Sequence, residues 1–320
     1  MDVFITRKIP ESAIRMLESH HEVRMSEEDR VLTKQEIIEQ AADVDGLLCL
    51  LTDTIDKEVI SSIPNLKMIA NYAVGYNNVD VDFATEKKIP VSNTPGVLTD
   101  ATAELTWGLI FTVARRLIEG DQFCRQGRFN GWGPMLLLGQ GISQKTLGIV
   151  GAGRIGTAVA LKSKGFDMNV LYTDQQHNTV LENELNARKT DFSRLLKESD
   201  IVSLHVPLNE ETRHLISEKE LKMMKETTIL INTSRGPVVD EEALICALDN
   251  DWIFGAGLDV YEHEPNIPLK LMKLPNVVIQ PHIGSATRDS RFKMAEMAAE
   301  NMLTGLKGEK PPNCVNPELF

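Results

Sequence analysis

A short apolar run, Thr146–Val150, leads into Gly151-Ala152-Gly153-Arg154-Ile155-Gly156 and then into an amphipathic stretch. Few features constrain a fold so tightly, because the pattern demands a strand, a tight turn and a helix packed back on that strand. Gly151 allows the turn, Gly153 lets a pyrophosphate approach the backbone, and Gly156 lets the helix lie close on the strand. The helix start offers free N–H groups and the positive end of its dipole to phosphate oxygens. A second strand, Met168–Thr173, ends at Asp174, 18 residues beyond Gly156, about where an acid grips the adenosine ribose. Glycine-rich turns also arise from packing alone, and an aspartate also caps turns; the strand–turn–helix context favours a dinucleotide site. A carboxylate there repels a 2′-phosphate, and Gln175-Gln176-His177 supplies no arginine for one, so NAD (as NADH) is expected and NADP is less favoured.

The rest of the chain repeats the same alternation. Strands are expected at Val3–Thr6, Gly46–Leu51, Lys67–Asn71 and Pro90–Asn93, with a weaker one at Glu22–Met25. Helical patterns fall between them at Glu11–Ser19, Lys34–Ala41, Lys57–Ser62 and Val81–Lys87, and Thr33 with Glu36 reads as a capping box. Leu105, Leu109, Val113 and Leu117 lie four apart and predict one long helix over 100–118, ending at Gly120. The stretch from Gly120 to Gly141 has six glycines, Trp132 and no period, and is expected to be an interface or an active-site arm. After the glycine turn, strands are expected at Asn169–Thr173, Ile201–Val206, Thr228–Asn232, Gly255–Val260 and Val277–Gln280. Helices are expected at Arg154–Lys164, Phe192–Glu198, Glu218–Met224, Glu241–Asn250 and Thr287–Leu306. Strands separated by helices of this length indicate parallel sheets. The fold class is therefore α/β, and the first ninety-odd residues have a flavodoxin-like character.

Composition removes other classes. Against 34 basic side chains there are 46 acidic ones, a balance of −12, which disfavours nucleic acid as the main partner. No apolar run approaches the ~18 residues of a membrane span, and Met1-Asp2-Val3-Phe4 lacks the pattern of a signal peptide. Cys49, Cys124, Cys246 and Cys314 form no CxxC pair, so neither a disulfide framework nor a metal site is expected. These readings point to a cytoplasmic protein large enough for enzyme work.

Three successive strands run into polar loops: Thr233-Ser234-Arg235-Gly236-Pro237, Tyr261-Glu262-His263-Glu264-Pro265 and Pro281-His282-Ile283-Gly284-Ser285. Ligands bind beyond the carboxyl ends of parallel strands, so an Arg, a Glu and a His are candidates for one crevice. Arginine is a permanent forked cation suited to a carboxylate. Histidine exchanges a proton near neutral pH, and a neighbouring carboxylate keeps it protonated. From spacing alone each also fits a plainer role. Glu264 precedes a proline with Glu262 and His263 beside it, all compatible with a solvated loop, and Arg235 also fits a surface ion pair.

Over essentially its whole length the sequence resembles the NAD-dependent D-2-hydroxyacid dehydrogenases. The resemblance is carried by 71–80 (NYAVGYNNVD), 97–104 (VLTDATAE), Gly148–Gly156, 205–208 (HVPL), Ile231–Asp240, 257–265 (GLDVYEHEP) and 280–285 (QPHIGS). Within the family it is most similar to bacterial glyoxylate/hydroxypyruvate reductases, on Leu50-Leu51-Thr52-Asp53, the run ending in Asn77-Asn78, and Gly131-Trp132.

The resemblance implies two Rossmann-like doubly wound parallel-sheet domains: a substrate domain of residues 1–98 plus 288–320, interrupted by a dinucleotide-binding domain of 99–287. It implies that Arg235, Glu264 and His282 are catalytic, and that Leu51, Val74 and Gly75, with Arg235 and His282, meet the substrate. Cofactor contacts are implied for Thr102, Gly151, Gly153, Arg154, Ile155, Gly156, Asp174, Pro207, Thr212, Thr233, Ser234, Asp259 and Gly284. Asp259 would orient the cofactor's carboxamide. The expected reaction is reduction of a small 2-oxo acid, glyoxylate or hydroxypyruvate, to the D-2-hydroxy acid. A homodimer through 100–145 is implied, with Trp132 either nearing a neighbour's pocket or packing at the interface. A D-glycerate or D-lactate dehydrogenase differs only in pocket residues. An NAD-sensing corepressor keeps the trio but carries extra termini that 320 residues leave little room for. His205, inside an apolar strand, is read as structural, and Cys49 as a buried small hydrophobe.

Overall fold

The computed structural model describes all 320 residues. The chain divides into two compact units, Met1–Leu98 with Ala286–Phe320, and Thr99–Ser285.

In the first unit, β1 (Asp2–Ile5), β2 (Glu22–Met25), β3 (Gly46–Leu50), β4 (Met68–Tyr72) and β5 (Val91–Ser92) form a parallel sheet in the order β2-β1-β3-β4-β5. β3 and β4 are buried almost throughout, as continuous apolar runs covered on both faces must be. β2 is an edge strand and mostly exposed, which is why its apolar signal is faint. Ile37, Val59, Ile60 and Phe83 from three helices close one face of the sheet. Helix Glu11–Glu18 and the long helix Arg288–Leu306 pack with each other, and the latter also packs on β3 and β4. Both reciprocal bonds of the Thr33–Glu36 capping box are present.

In the second unit, β6 (Thr146–Val150), β7 (Asn169–Thr173), β8 (Arg188–Lys189), β9 (Ile201–Leu204), β10 (Ile229–Asn232), β11 (Gly255–Leu258) and β12 (Val277–Ile279) form a second parallel sheet. Its order is β12-β11-β10-β9-β6-β7-β8. The chain starts at β6 and builds outward in both directions, so the strand order reverses between β6 and β9. A crevice opens at such a switch point, beyond the carboxyl ends of those strands.

The region after residue 99 differs from its sequence reading. In place of one helix over 100–118 there are two, Thr99–Ala114 and Leu117–Arg125, joined through Arg116 at a left-handed φ of 53°. The Ala114 carbonyl, which a continuing helix would give to Ile118, accepts from the Gln140 amide at 2.7 Å. Arg116 holds the corner from the other side, donating to the Leu138 carbonyl at 3.1 Å and pairing with Glu119. Leu109 and Val113 enter the core with Leu105 against it, whereas Leu117 is 51% exposed. The apparent single face is two helices whose leucines fall in phase. The stretch expected to lack structure from Gly120 therefore begins as helix. Beyond it Phe129, Trp132, Met135 and Leu138 are exposed, Trp132 to 85%. Helices Thr179–Leu185 and Leu269–Lys273 and strand β8 are too short to register as periods. No helix is long and apolar enough to cross a membrane.

Candidate active site

Adjacent strands β10, β11 and β12 end in the loops that carry Arg235, Glu264 and His282. His282 Nδ1 lies 2.9 Å from Glu264 Oε2, with 25% and 31% of the two side chains exposed. Spacing does not choose among Glu262, His263 and Glu264; the structure does. The Glu264 carboxylate also accepts from the Tyr261 amide at 3.1 Å, which sets its plane toward His282. Glu262 instead contacts Arg213 at 3.1 Å and His214 at 2.7 Å. Burial pushes the Glu264 carboxyl up, but the His282 bond and charge, the Tyr261 amide and Arg235 outweigh it and bring it below its ordinary value.

His282 has a φ of 55°, a left-handed conformation uncommon outside glycine. Asp259, buried at the end of β11, explains how it is held. Its Oδ1 accepts from the Ile283 amide and its Oδ2 from the Gly284 amide, both at 2.7 Å. Burial pushes this carboxyl up, against the pull of those two amides and of His282. Both oxygens of Asp259 are thus engaged by the loop that follows His282, an arrangement the sequence did not foreshadow.

Arg235 is half-buried. Asn232 shapes its loop, accepting from the Ser234 amide and hydroxyl and donating to the Arg235 carbonyl at 2.9 Å. The guanidinium donates to the Ser234 carbonyl at 2.7 Å. Burial pushes its pKa down, and the Glu264 charge opposes that shift. The group thus offers a cation near Glu264, the carboxylate that holds His282 Nδ1 and leaves Nε2 to exchange a proton.

At the switch point, the first and third glycines answer to the fold itself. A Cβ on Gly151 would lie 2.8 Å from the His205 backbone, at a φ of +91°. One on Gly156 would lie 2.1 Å from the Gly151 carbonyl oxygen. Gly153 differs: its φ is −72° and an added Cβ would meet nothing within 4 Å. It faces open space as the N-cap of helix Arg154–Lys162. Asp174 lies against the turn, its Oδ2 accepting from the Ala152 amide at 2.7 Å and its Oδ1 from the Gln176 amide at 3.3 Å.

Comparison with known proteins follows the same lines. The family profile described as D-isomer specific 2-hydroxyacid dehydrogenase, NAD binding domain, matches residues 107–284, more than half of the chain. The chain belongs to this family. Among curated relatives, the glyoxylate reductase of Thermococcus litoralis is 52% identical over 322 residues, covering 99% of this chain and 97% of the relative. A crystal structure of a protein from Thermus thermophilus superposes with a TM-score of 0.91 at 45% identity, covering 98% of this chain and all of that one. The NADPH-dependent glyoxylate/hydroxypyruvate reductase of Sinorhizobium meliloti, solved with NADP and malonate, has a TM-score of 0.89 at 29% identity, covering 100% and 98%.

The other candidate residues of this D-2-hydroxyacid dehydrogenase fall into four groups. Thr102 donates to the Gly284 carbonyl at 3.2 Å, and Thr106 bridges the Thr102 carbonyl and the Thr233 hydroxyl. These join Asp259 behind the His282 loop. Pro207 and Thr212 meet in the loop after β9, where the Thr212 hydroxyl donates to the Pro207 carbonyl at 2.6 Å. Arg154 and Ile155 form the first turn of the helix after Gly153. Leu51, Val74 and Gly75 lie in the first unit, in loops after β3 and β4. Sequence reasoning missed Asn232 and Asn178; the latter donates to the Ala152 carbonyl and the Thr157 hydroxyl at 2.8 Å each and braces the glycine turn. The only cue for Asn178 was its N-cap position ahead of Thr179–Leu185.

His205 follows β9, its Nε2 2.8 Å from the Ser203 hydroxyl. Burial pushes its imidazole down to about 3, from 6.5 when unfolded. Between those values the unfolded chain binds the extra proton, so this residue's contribution to stability is complete above pH 6.5 and falls as the pH drops toward 3. Urea titrations of the wild type and of His205→Asn from about pH 7 down to about pH 4, a span between ordinary histidine and carboxylate pKa values, should show a shallower loss of stability in the variant. Parallel losses would mean that His205 titrates normally in the fold.

Proposed function

We propose that this enzyme reduces a small 2-oxo acid, glyoxylate or hydroxypyruvate, to the corresponding D-2-hydroxy acid using NADH. The observation that carries this reading is the 2.9 Å pair of His282 and Glu264, on a loop held by Asp259 and beside the half-buried Arg235. The names of the glyoxylate reductases that the chain matches over nearly its full length support the choice of substrate.

When bound, the dinucleotide supplies the hydride. Gly151, Gly153 and the amides opening helix Arg154–Lys162 receive its pyrophosphate, and the open space at Gly153 fits that role. Asp174 takes the ribose hydroxyls with the acceptor capacity left by Ala152 and Gln176. Arg235 binds the substrate carboxylate and polarises the carbonyl. His282 Nε2 delivers a proton to the oxygen as negative charge develops there, while Glu264 steadies the imidazolium through Nδ1. Asp259 sustains this from behind by fixing the backbone of the His282 loop, a role closer to its observed bonds than a carboxamide contact.

Preference for NADH over NADPH rests on the Asp174 carboxylate, followed by Gln175-Gln176-His177 without arginine. The exposed Leu117, Ile118, Phe129, Trp132 and Met135 support a homodimer formed through 100–145.

Replacing His282 with Ala should lower turnover by roughly 10²–10⁴-fold, while fluorescence titration shows NADH binding little changed. Near-normal turnover would remove His282 from the acid role. Asp174→Ala should narrow the gap between NADH and NADPH in kcat/KM. A gap of unchanged size would exclude Asp174 from the ribose site.

A further inference from the structure

The turn after β9 closes on itself. The Thr212 hydroxyl donates to the Pro207 carbonyl at 2.6 Å and accepts from the Asn209 amide at 2.9 Å, while Asn209 Oδ1 accepts from the Thr212 amide at 2.9 Å. Side chains bonded to neighbouring backbone in this way fix a turn's shape, but its placement depends on contacts that leave it. Leu208 packs on the core, and three hydrogen bonds reach other loops. One is backbone: the His214 amide donates to the Pro237 carbonyl at 2.8 Å, just after Arg235. The other two converge on one carboxylate. Glu262 Oε1 lies 2.7 Å from His214 Nε2 and accepts from Arg213 Nη2 at 3.1 Å.

Glu262 holds more than that turn. Its side chain is only 11% exposed, a setting in which a carboxylate needs partners for both oxygens. Oε2 accepts from the Glu241 amide at 3.4 Å, at the start of helix Glu241–Asp249, and the Glu262 amide donates to Glu241 Oε1 at 3.4 Å. That helix follows the loop of Arg235. The backbones of the two loops also touch: a Cβ on Gly236 would lie 1.8 Å from the Tyr261 carbonyl oxygen. The loops after β9, β10 and β11 therefore meet at Glu262, two residues before Glu264. The two carboxylates divide the work, Glu264 meeting His282 at 2.9 Å and Glu262 meeting the turn after β9.

We propose that Glu262 is a positioning residue that sets the 207–212 turn against the dinucleotide, acting through Arg213 and His214. The proposal rests on the reading that this turn contacts the cofactor, and every residue it uses belongs to the second unit. A carboxylate suits the task because its two acceptor oxygens serve two arms. Glutamine offers one acceptor and puts a donor where the other oxygen was, so one arm loses its acceptor.

The test is a double-mutant cycle on NADH binding, read by fluorescence titration of the full-length protein, with Glu262→Gln, Thr212→Ala and the two combined. Glu262→Gln alone should raise the dissociation constant of NADH on the order of five- to twenty-fold, part of the worth of a hydrogen bond to a charged group. In the Thr212→Ala background the same change should raise it less than about two-fold, because the contact that Glu262 positions is already gone. With glyoxylate, kcat of Glu262→Gln at saturating NADH should stay within about three-fold of wild type, since the His282–Glu264 pair is untouched. If Glu262→Gln does not fold, Arg213→Met, with its side chain 54% exposed, cuts the same tie from the other end. An unchanged dissociation constant, equal rises in both backgrounds, or a kcat that falls by the same factor would overturn the positioning role alone. A wild type that binds no NADH, or a Thr212→Ala variant with wild-type affinity, would refute the cofactor reading of the turn, and this proposal with it.

Discussion

The Asp259 carboxylate and the two amides of Ile283 and Gly284 are the interaction on which the second unit's chemistry depends. A buried carboxylate is costly unless its oxygens are satisfied, and here each oxygen accepts one backbone N–H at 2.7 Å. Those bonds fix the chain immediately after His282, whose left-handed φ is uncommon outside glycine. With the backbone set, the imidazole meets Glu264 at 2.9 Å, and Thr102 closes the loop from behind through the Gly284 carbonyl. Remove the clamp and neither the histidine's position nor its pairing is specified. The strain is local, and groups on β11 and in helix Thr99–Ala114 offset it.

Net charge and site chemistry point in opposite directions. The chain carries twelve more acidic than basic side chains, 46 against 34, yet both proposed ligands are anions. Long-range attraction therefore does not recruit them; short-range devices must. These are one half-buried guanidinium and the amides at the start of helix Arg154–Lys162. Each is fixed before any ligand arrives, so little reorganisation is needed on binding. The acidic balance is a property of the surface and says little about the crevice.

Much of the fold was legible because parallel strands buried on both faces read as plain apolar runs, and β3, β4, β6, β9, β10 and β11 all do. The glycine turn was legible because Gly151 and Gly156 answer to backbone sterics visible in the spacing. What escaped was bonding between side chain and distant backbone. Asp259 acts on amides 24 and 25 residues away in sequence, and Asn232, Asn178, Asn71 and Asn93 hold distant or neighbouring backbone groups without leaving any periodic trace. The choice of Glu264 over Glu262 turned on which carboxylate the loop presents to His282, a matter of three-dimensional reach. The break at Arg116 escaped for a different reason. Leu117 continues the four-residue spacing of the preceding helix, so the period alone carried the reading across a corner made by Gln140 and Leu138 from a remote loop.

A framework of this kind is built to deliver a hydride and a proton to one face of a 2-oxo acid. The decisive measurement is oxidation of NADH and of NADPH by the purified protein against a panel of 2-oxo acids, with the configuration of the product determined. Turnover with glyoxylate and hydroxypyruvate is expected, faster with NADH, and with D-glycerate as the product from hydroxypyruvate. No turnover with any 2-oxo acid, or formation of L-glycerate, would contradict that reading.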